Sequence, residues 1–182
     1  MAKRVKIIER SVLYSGSVSL RNDKFSLNGK IISKEIVEHK DSVGIIAVSG
    51  RTDVILVTQY RRAADEVLLE IPAGKIEEHE TPKQAAVREM AEEIGYSGKL
   101  NPIFGWYLAP GYSTEFMHIF VATNLREIKR GNLDDDENIR IRKMKLRTAL
   151  KKCLDGEIKD CKTIAALLAY YSLLKRHLIS NF

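Results

Sequence analysis

Over residues 4–40 apolar and polar positions alternate, in "VKIIERSVLY", "SVSLRNDKFSL" and "KIISKEIVEH", and β-branched residues are frequent. A period of two sends successive side chains to opposite faces, so these segments predict strands. Asn28-Gly29 lies between the last two, and both residue types tolerate positive φ, which predicts a two-residue hairpin turn. Two or three strands this short bury little by themselves. They are expected to pack on another surface, either the main domain or a second subunit. Residues 43–49 ("VGIIAVS") and 53–60 ("DVILVTQY") read as strands joined at Gly50, and "EVLLEIPAG" as a further strand ending in Pro-Ala-Gly.

There the period changes. Thr81-Pro82-Lys83-Gln84 combines a Thr cap, Pro at the first helical position and Gln three after the cap, and Gly95 is a stop. At 100° per residue Ala86, Val87, Met90, Ala91 and Ile94 share one face, with Glu89, Glu92 and Glu93 on the neighbouring one. Beyond it come strand-like "LNPIFGWYL" and "FMHIFVATNL", an acidic turn "LDDDEN", a short "IRIRKM" and two helices, "KLRTALKKCL" and "CKTIAALLAYYSLLKRHL". The order predicts an α/β fold with a mixed sheet, divided into an N-terminal β-domain at 1–41 and a main domain at 42–182.

Composition narrows the class. With 182 residues, 45% hydrophobic and 30% charged, the chain suits a soluble globular domain with a real core. Its longest apolar runs are far short of a membrane span, and the basic N-terminus has no apolar stretch after it, so neither membrane insertion nor a signal peptide is expected. Cys153 and Cys161 have no His or Cys at metal-ligand spacing and read as buried or free thiols of a cytoplasmic protein. The net charge of +6 is dispersed, without interleaved aromatics, which argues against a nucleic-acid track.

The candidate chemistry lies in the helix. Glu89 and Glu93 stand one turn apart, where like charges repel by about 0.2–0.5 kcal/mol. A solvated acidic face and a site for a hard divalent cation both account for this. The preceding loop separates them. Gly74 is followed after five residues by Glu80, then after seven by Arg88-Glu89, and the run "GKIEEHETPKQAAVREMAEEIGY" at 74–96 is similar to the signature of the Nudix hydrolases. Tyr96 is its one mild departure, at a packing position.

This resemblance implies a Nudix α/β/α sandwich whose loop–helix–loop binds Mg²⁺, or Mn²⁺ in its place, and cleaves a nucleoside diphosphate linked to another moiety. Carried over by position, Glu89 and Glu93 would be the principal metal ligands, with Glu92 assisting and the Ala73 carbonyl as a further ligand. Arg88 and Glu80 are expected to hold loop to helix by a charged contact.

Two flanking stretches, "QYRRAADEVLLEIPAG" (59–74) and "YLAPGYSTE" (107–115), resemble the ADP-ribose pyrophosphatase subgroup. Pro110 falls near the subgroup's marker proline, although Ala109 stands where Ser is frequent. The resemblance points Arg61, with Arg62 beside it, at the substrate phosphates, and sets Glu115 against the diphosphate. Glu70 would support metals or waters, or be purely structural. The water-activating base would come from "LDDDENIRI": Glu137 first, also as a metal ligand, then Asp135 and Asp136, with Glu93 sharing the catalytic work. The N-terminal strands resemble the small β-domain that these enzymes exchange across a homodimer, and Phe25 is a candidate for stacking on the base.

The reading is therefore an Mg²⁺-dependent hydrolase of ADP-ribose. Another nucleoside diphosphate sugar such as GDP-mannose is the close alternative, since "LKKCLDGEIKDCKTIAALL" also resembles that branch. A non-catalytic nucleotide or RNA sensor would be expected to lack one of Glu89, Glu92 and Glu93, and all are present.

Overall fold

The computed structural model describes residues 5–131 and 138–176. The chain divides into two compact units: Met1–Asp41 with Trp106–Met117, and Ser42–Gly105 with His118–Phe182. The first thus takes in Trp106–Met117, which a cut after residue 41 leaves in the main domain.

In the first unit β1 (Lys6–Tyr14), β2 (Ser19–Leu27) and β3 (Lys30–Glu38) form an antiparallel sheet in sequence order. Asn28 (φ 52°) and Gly29 (φ 77°) both take the left-handed conformation, as the tight hairpin between Leu27 and Lys30 requires. Among the described residues up to Asp41 only Asp23 is buried, held by Arg21 Nε at 2.9 Å, while Ile8, Val12, Leu13 and Tyr14 are exposed. The sheet has no apolar core of its own. Trp106–Met117 joins it through a turn at Pro110-Gly111, in which the Ala109 carbonyl accepts the Ser113 N–H at 2.8 Å. The Thr114 N–H then bonds the Val37 carbonyl at 3.0 Å.

The second unit is built on a mixed sheet in the order β10-β5-β4-β9-β8, with β6 pairing β5 and β7 pairing β4. Its strands are β4 (Ser42–Ser49), β5 (Asp53–Arg61), β6 (Glu66–Glu70), β7 (Ala73–Lys75), β8 (Tyr96–Tyr107, of which Trp106 and Tyr107 fall in the first unit), β9 (Phe116–Glu127, of which Phe116 and Met117 do) and β10 (Arg140–Lys145). Helices α1 (Pro82–Ile94), α2 (Leu146–Leu154) and α3 (Cys161–Lys175) complete it. Val43, Ile45, Ala47, Ile55 and Val57 meet Ala85, Ala86, Met90 and Ile94 of α1 in one buried cluster. Ile46, Val54 and Leu56, also buried, alternate to the opposite face, where α2 and α3 pack. Each fully buried aliphatic side chain contributes about 1.5–3 kcal/mol. No helix among the described residues is long and apolar enough to cross a membrane.

Two sequence expectations change. "EVLLEIPAG" is two strands, because Pro72 has no N–H to give to a ladder: β6 pairs β5 before it and β7 pairs β4 after it. The Pro72 carbonyl still serves the sheet, accepting the Ile45 N–H at 2.8 Å. On α1 the buried stripe is rotated toward the carboxylates. Glu89 and Glu93 are 8% and 1% exposed, whereas Val87, placed on the apolar face by periodicity, is 49% exposed. Cys153 is buried and Cys161 exposed, and neither forms a disulfide.

Candidate functional site

The start and end of α1 are fixed by local chemistry. Thr81 caps Gln84 N–H while the Gln84 side chain returns to the Thr81 N–H at 2.9 Å, a complete capping box with Pro82 at the first position. Gly95 closes the helix at φ 69°, its N–H reaching the Ala91 carbonyl at 3.1 Å. A helix anchored at both ends holds Arg88, Glu89, Glu92 and Glu93 in fixed register with the loop before it.

Arg88 is the hub of that loop. Its Nε and Nη2 each donate to Glu80 at 2.9 Å, and Nη2 also donates to the Lys75 carbonyl at 2.9 Å. Nη1 donates to Glu89 Oε1 at 2.7 Å and to Glu92 Oε2 at 3.1 Å. This bidentate guanidinium holds the Glu80 carboxyl down to about 2, and the surrounding carboxylates, Glu80 foremost, raise Arg88 in return. The contact ties loop to helix, the role that the sequence suggests for the pair.

Gly74 has a reason of its own. Its φ lies outside the left-handed region, so the backbone does not call for glycine. A Cβ there would fall 1.8 Å from Glu89 Oε1, inside the carboxylate. The next residue back, Ala73, donates its N–H to Glu93 Oε2 at 2.9 Å. Glu89 and Glu93 are thus drawn against consecutive residues of β7. At the far end of the helix Gly131 lets the chain pass close to Glu92, where a Cβ would come within 2.8 Å of Cγ.

Among the described residues no three His, Cys, Asp or Glu groups already converge on one cation-sized point. Arg88 shares Glu89 and Glu92, and Ala73 N–H takes one oxygen of Glu93. The donor set is nonetheless all oxygen, which suits a hard divalent ion, and the glycine cradle brings the Glu89 carboxylate onto β7 beside Ala73. The residues present fit such an ion.

The other candidates are distributed as follows. Arg61 ends β5 and grips Glu70 with Nε and Nη2, each at 2.7 Å; its side chain is 39% exposed. Burial pushes the Glu70 carboxyl up, but Arg61 and Lys162 outweigh it and hold it below the ordinary value. Arg62 points outward at the following turn, 84% exposed, with Nη1 bonded to Asp65 and the Tyr60 hydroxyl at 3.1 Å. Phe25, on β2 opposite Ile7 and Ile32, and Glu115, with Oε2 3.6 Å from His39 Nδ1, belong to the first unit. Glu137, Asp135 and Asp136 lie outside the described residues.

Periodicity misses two sets of residues. At the start of α3 Lys162 reaches back to Glu70 and Thr163 to Ile71, and Asp160 holds both of them. Only the Asp160 cap, bonded to Thr163 N–H at 3.0 Å, has a sequence signal, since Asp before an apolar helix is a common start. Arg130 donates to the Glu92 carbonyl at 3.0 Å and to the Ile139 carbonyl at 3.4 Å, fastening the end of α1 to the segment before β10. No local pattern marks it.

The chain is similar to known proteins over most of its length. The chain is 37% identical over 166 residues to an ADP-ribose pyrophosphatase of Bacillus subtilis (strain 168), covering 89% of this chain and 90% of that one. It is 31% identical over 183 residues to a GDP-mannose pyrophosphatase of Salmonella arizonae, covering 92% and 95%. A crystal structure of an ADP compounds hydrolase superposes with a TM-score of 0.85 over 96% of both chains at 20% identity, which shows the same fold. The NUDIX domain model matches residues 38–165, and with the Gly74 loop, the Arg88 hub and the carboxylates of α1 in place, the chain belongs to the Nudix hydrolase family.

Proposed function

We propose that this chain hydrolyses ADP-ribose to AMP and ribose 5-phosphate in the presence of Mg²⁺, with Mn²⁺ able to replace it. The observation that carries the reading is the seating of Glu89 in the Gly74 cradle under the Arg88 clamp. The choice of ADP-ribose rests on the Bacillus subtilis relative.

Glu89, Glu93, Glu92 and the Ala73 carbonyl would hold the ion, whose chemistry is to neutralise charge building on the phosphate oxygens during attack. The protein's own groups do the rest. Arg88 restrains Glu89 and Glu92, so their mutual repulsion does not splay them. Arg61, oriented from behind by Glu70, offers a planar cation to the diphosphate, with Arg62 beside it on the chain and Glu115 as a further contact. Water adds to one phosphorus, the bond from that phosphorus to the bridging oxygen breaks so that the oxygen leaves with the other phosphate, and a carboxylate takes the water's proton. Glu137 is the first choice for that base and Asp135 the second, with Glu93 sharing the work. Phe25 is proposed to stack on the base, the first unit to be exchanged across a homodimer as a separate β-domain, and the protein to act in the cytoplasm.

GDP-mannose is the second reading, favoured by the Salmonella relative. Incubation with Mg²⁺ and, separately, ADP-ribose, GDP-mannose, NADH and capped RNA tests both. Release of AMP and ribose 5-phosphate fastest from ADP-ribose is expected. Faster cleavage of GDP-mannose would replace the substrate, and no nucleoside monophosphate from any of the four would end the enzymatic reading in favour of a sensor.

A further inference from the structure

The Glu70 side chain is 1% exposed, yet it meets two cations: Arg61 through two 2.7 Å bonds, and Lys162 Nζ on Oε2. Lys162 is itself 11% exposed and also donates to Asp160 Oδ1 at 3.0 Å. Asp160 is held in turn by Thr163, whose hydroxyl accepts the buried Ile71 N–H at 2.8 Å. Two cations and two carboxylates therefore close into a neutral set linking α3 to the strands that carry Arg61 and Glu70.

A bidentate guanidinium–carboxylate pair by itself has no net charge, so an arginine wholly occupied by one glutamate is a weak attractor for phosphate. The second cation alters this. Burying a lysine on a carboxylate that arginine already satisfies is costly desolvation with no necessity for Glu70 alone. Its electrostatic effect is to offset the Glu70 charge at Oε2, the oxygen it shares with Arg61 Nη2, which leaves more of the Arg61 charge effective toward solvent.

We propose that Lys162 is a positioning residue for substrate: by sharing Glu70 it fixes the Arg61 guanidinium and keeps its positive charge available to the diphosphate. The inference rests on the reading of Arg61 as a phosphate ligand. Without Lys162 the set carries a net negative charge where the diphosphate must approach. Without Asp160 it carries a net positive one.

Calorimetric titration with ADP-ribose in EDTA, where chelation prevents turnover, measures this on the wild type and on R61Q, K162M, D160N and K162M/D160N; GDP-mannose is the probe if the substrate panel selects it. K162M is expected to weaken binding by on the order of tenfold, and to raise KM more than it lowers kcat when Mg²⁺ is restored. The double variant removes more contacts but restores neutrality, so it is expected to recover part of the loss, the bare Arg61–Glu70 pair staying a weaker attractor than the four-group set. A merely structural lysine predicts the reverse, and a double variant weaker than K162M overturns the proposal. So does binding by K162M within about twofold of wild type. D160N keeps a competent helix cap and serves if K162M fails to fold: tighter binding supports the proposal, unchanged or weaker binding overturns it. If R61Q binds as wild type does, the Arg61 reading falls and this inference with it. If R61Q weakens binding and K162M does not, only the inference falls.

Discussion

Replacing Gly74 by alanine tests the geometry of the site most directly. The added Cβ would lie 1.8 Å from Glu89 Oε1 and 2.0 Å from Cδ, whereas ordinary contact begins at 3.4 Å. The carboxylate must therefore move by 1.6 Å, the difference between 3.4 Å and 1.8 Å, or β7 must leave β4. Glu89 is 8% exposed and anchored on Arg88 Nη1 at 2.7 Å, so it has little room to yield. Overpacking of this kind costs about 1–3 kcal/mol of stability. A displaced group of about 1 Å costs on the order of a hundredfold in rate. Urea unfolding and steady-state hydrolysis of the preferred substrate measure the two effects. The decisive arm is the same change in an E89A background. There the overlap is gone, and alanine is expected to be neutral or to stabilise by about 0.4–1 kcal/mol through the unfolded chain. Equal destabilisation in both backgrounds would refute the steric account, and G74A with rate and stability within about twofold of wild type would refute the cradle itself.

Other expectations concern charge and assembly. Glu93→Gln keeps an acceptor for the Ala73 N–H, so its melting temperature should stay within about 3 °C of wild type while kcat falls by about a hundredfold or more; retained activity would remove Glu93 from the metal ligands. The Glu80 carboxyl is lowered from 4.5 to about 2 by Arg88, so its contribution is fully present above pH 4.5 and lost as pH falls toward 2. The stability gap between wild type and Glu80→Gln should accordingly be widest near neutrality and close in acid, and a gap in urea midpoints as wide at about pH 3 as at about pH 7 would contradict it. The exposed apolar residues of β1 and the missing core of its sheet predict a homodimer by light scattering, and a monomer at micromolar concentration would count against exchange of this unit.

Much of the fold is legible in the sequence because its signals are local. The capping box of α1, the Asn28-Gly29 hairpin and the alternation in β4 and β5 each depend on residues a few positions apart. Pro72 shows where local reading stops. A strand pattern runs through it, and only the partner strands show that the chain changes ladder there. Val87 fails for a related reason: periodicity ranks faces by hydrophobicity, while the structure turns α1 so that Glu89 and Glu93 face β7.

The sequence by itself determined the reaction class, since spaced glutamates, an arginine and a glycine within 23 residues form one contiguous device. Tertiary structure decided what those residues touch. That Gly74 is glycine because of a carboxylate 15 positions later, and that Arg61 is backed through Glu70 by a lysine 101 positions away, follow from packing of separate elements. Periodicity reports which face a residue occupies. It has no information about which distant charge is brought to meet it, and buried charges are fixed by their partners.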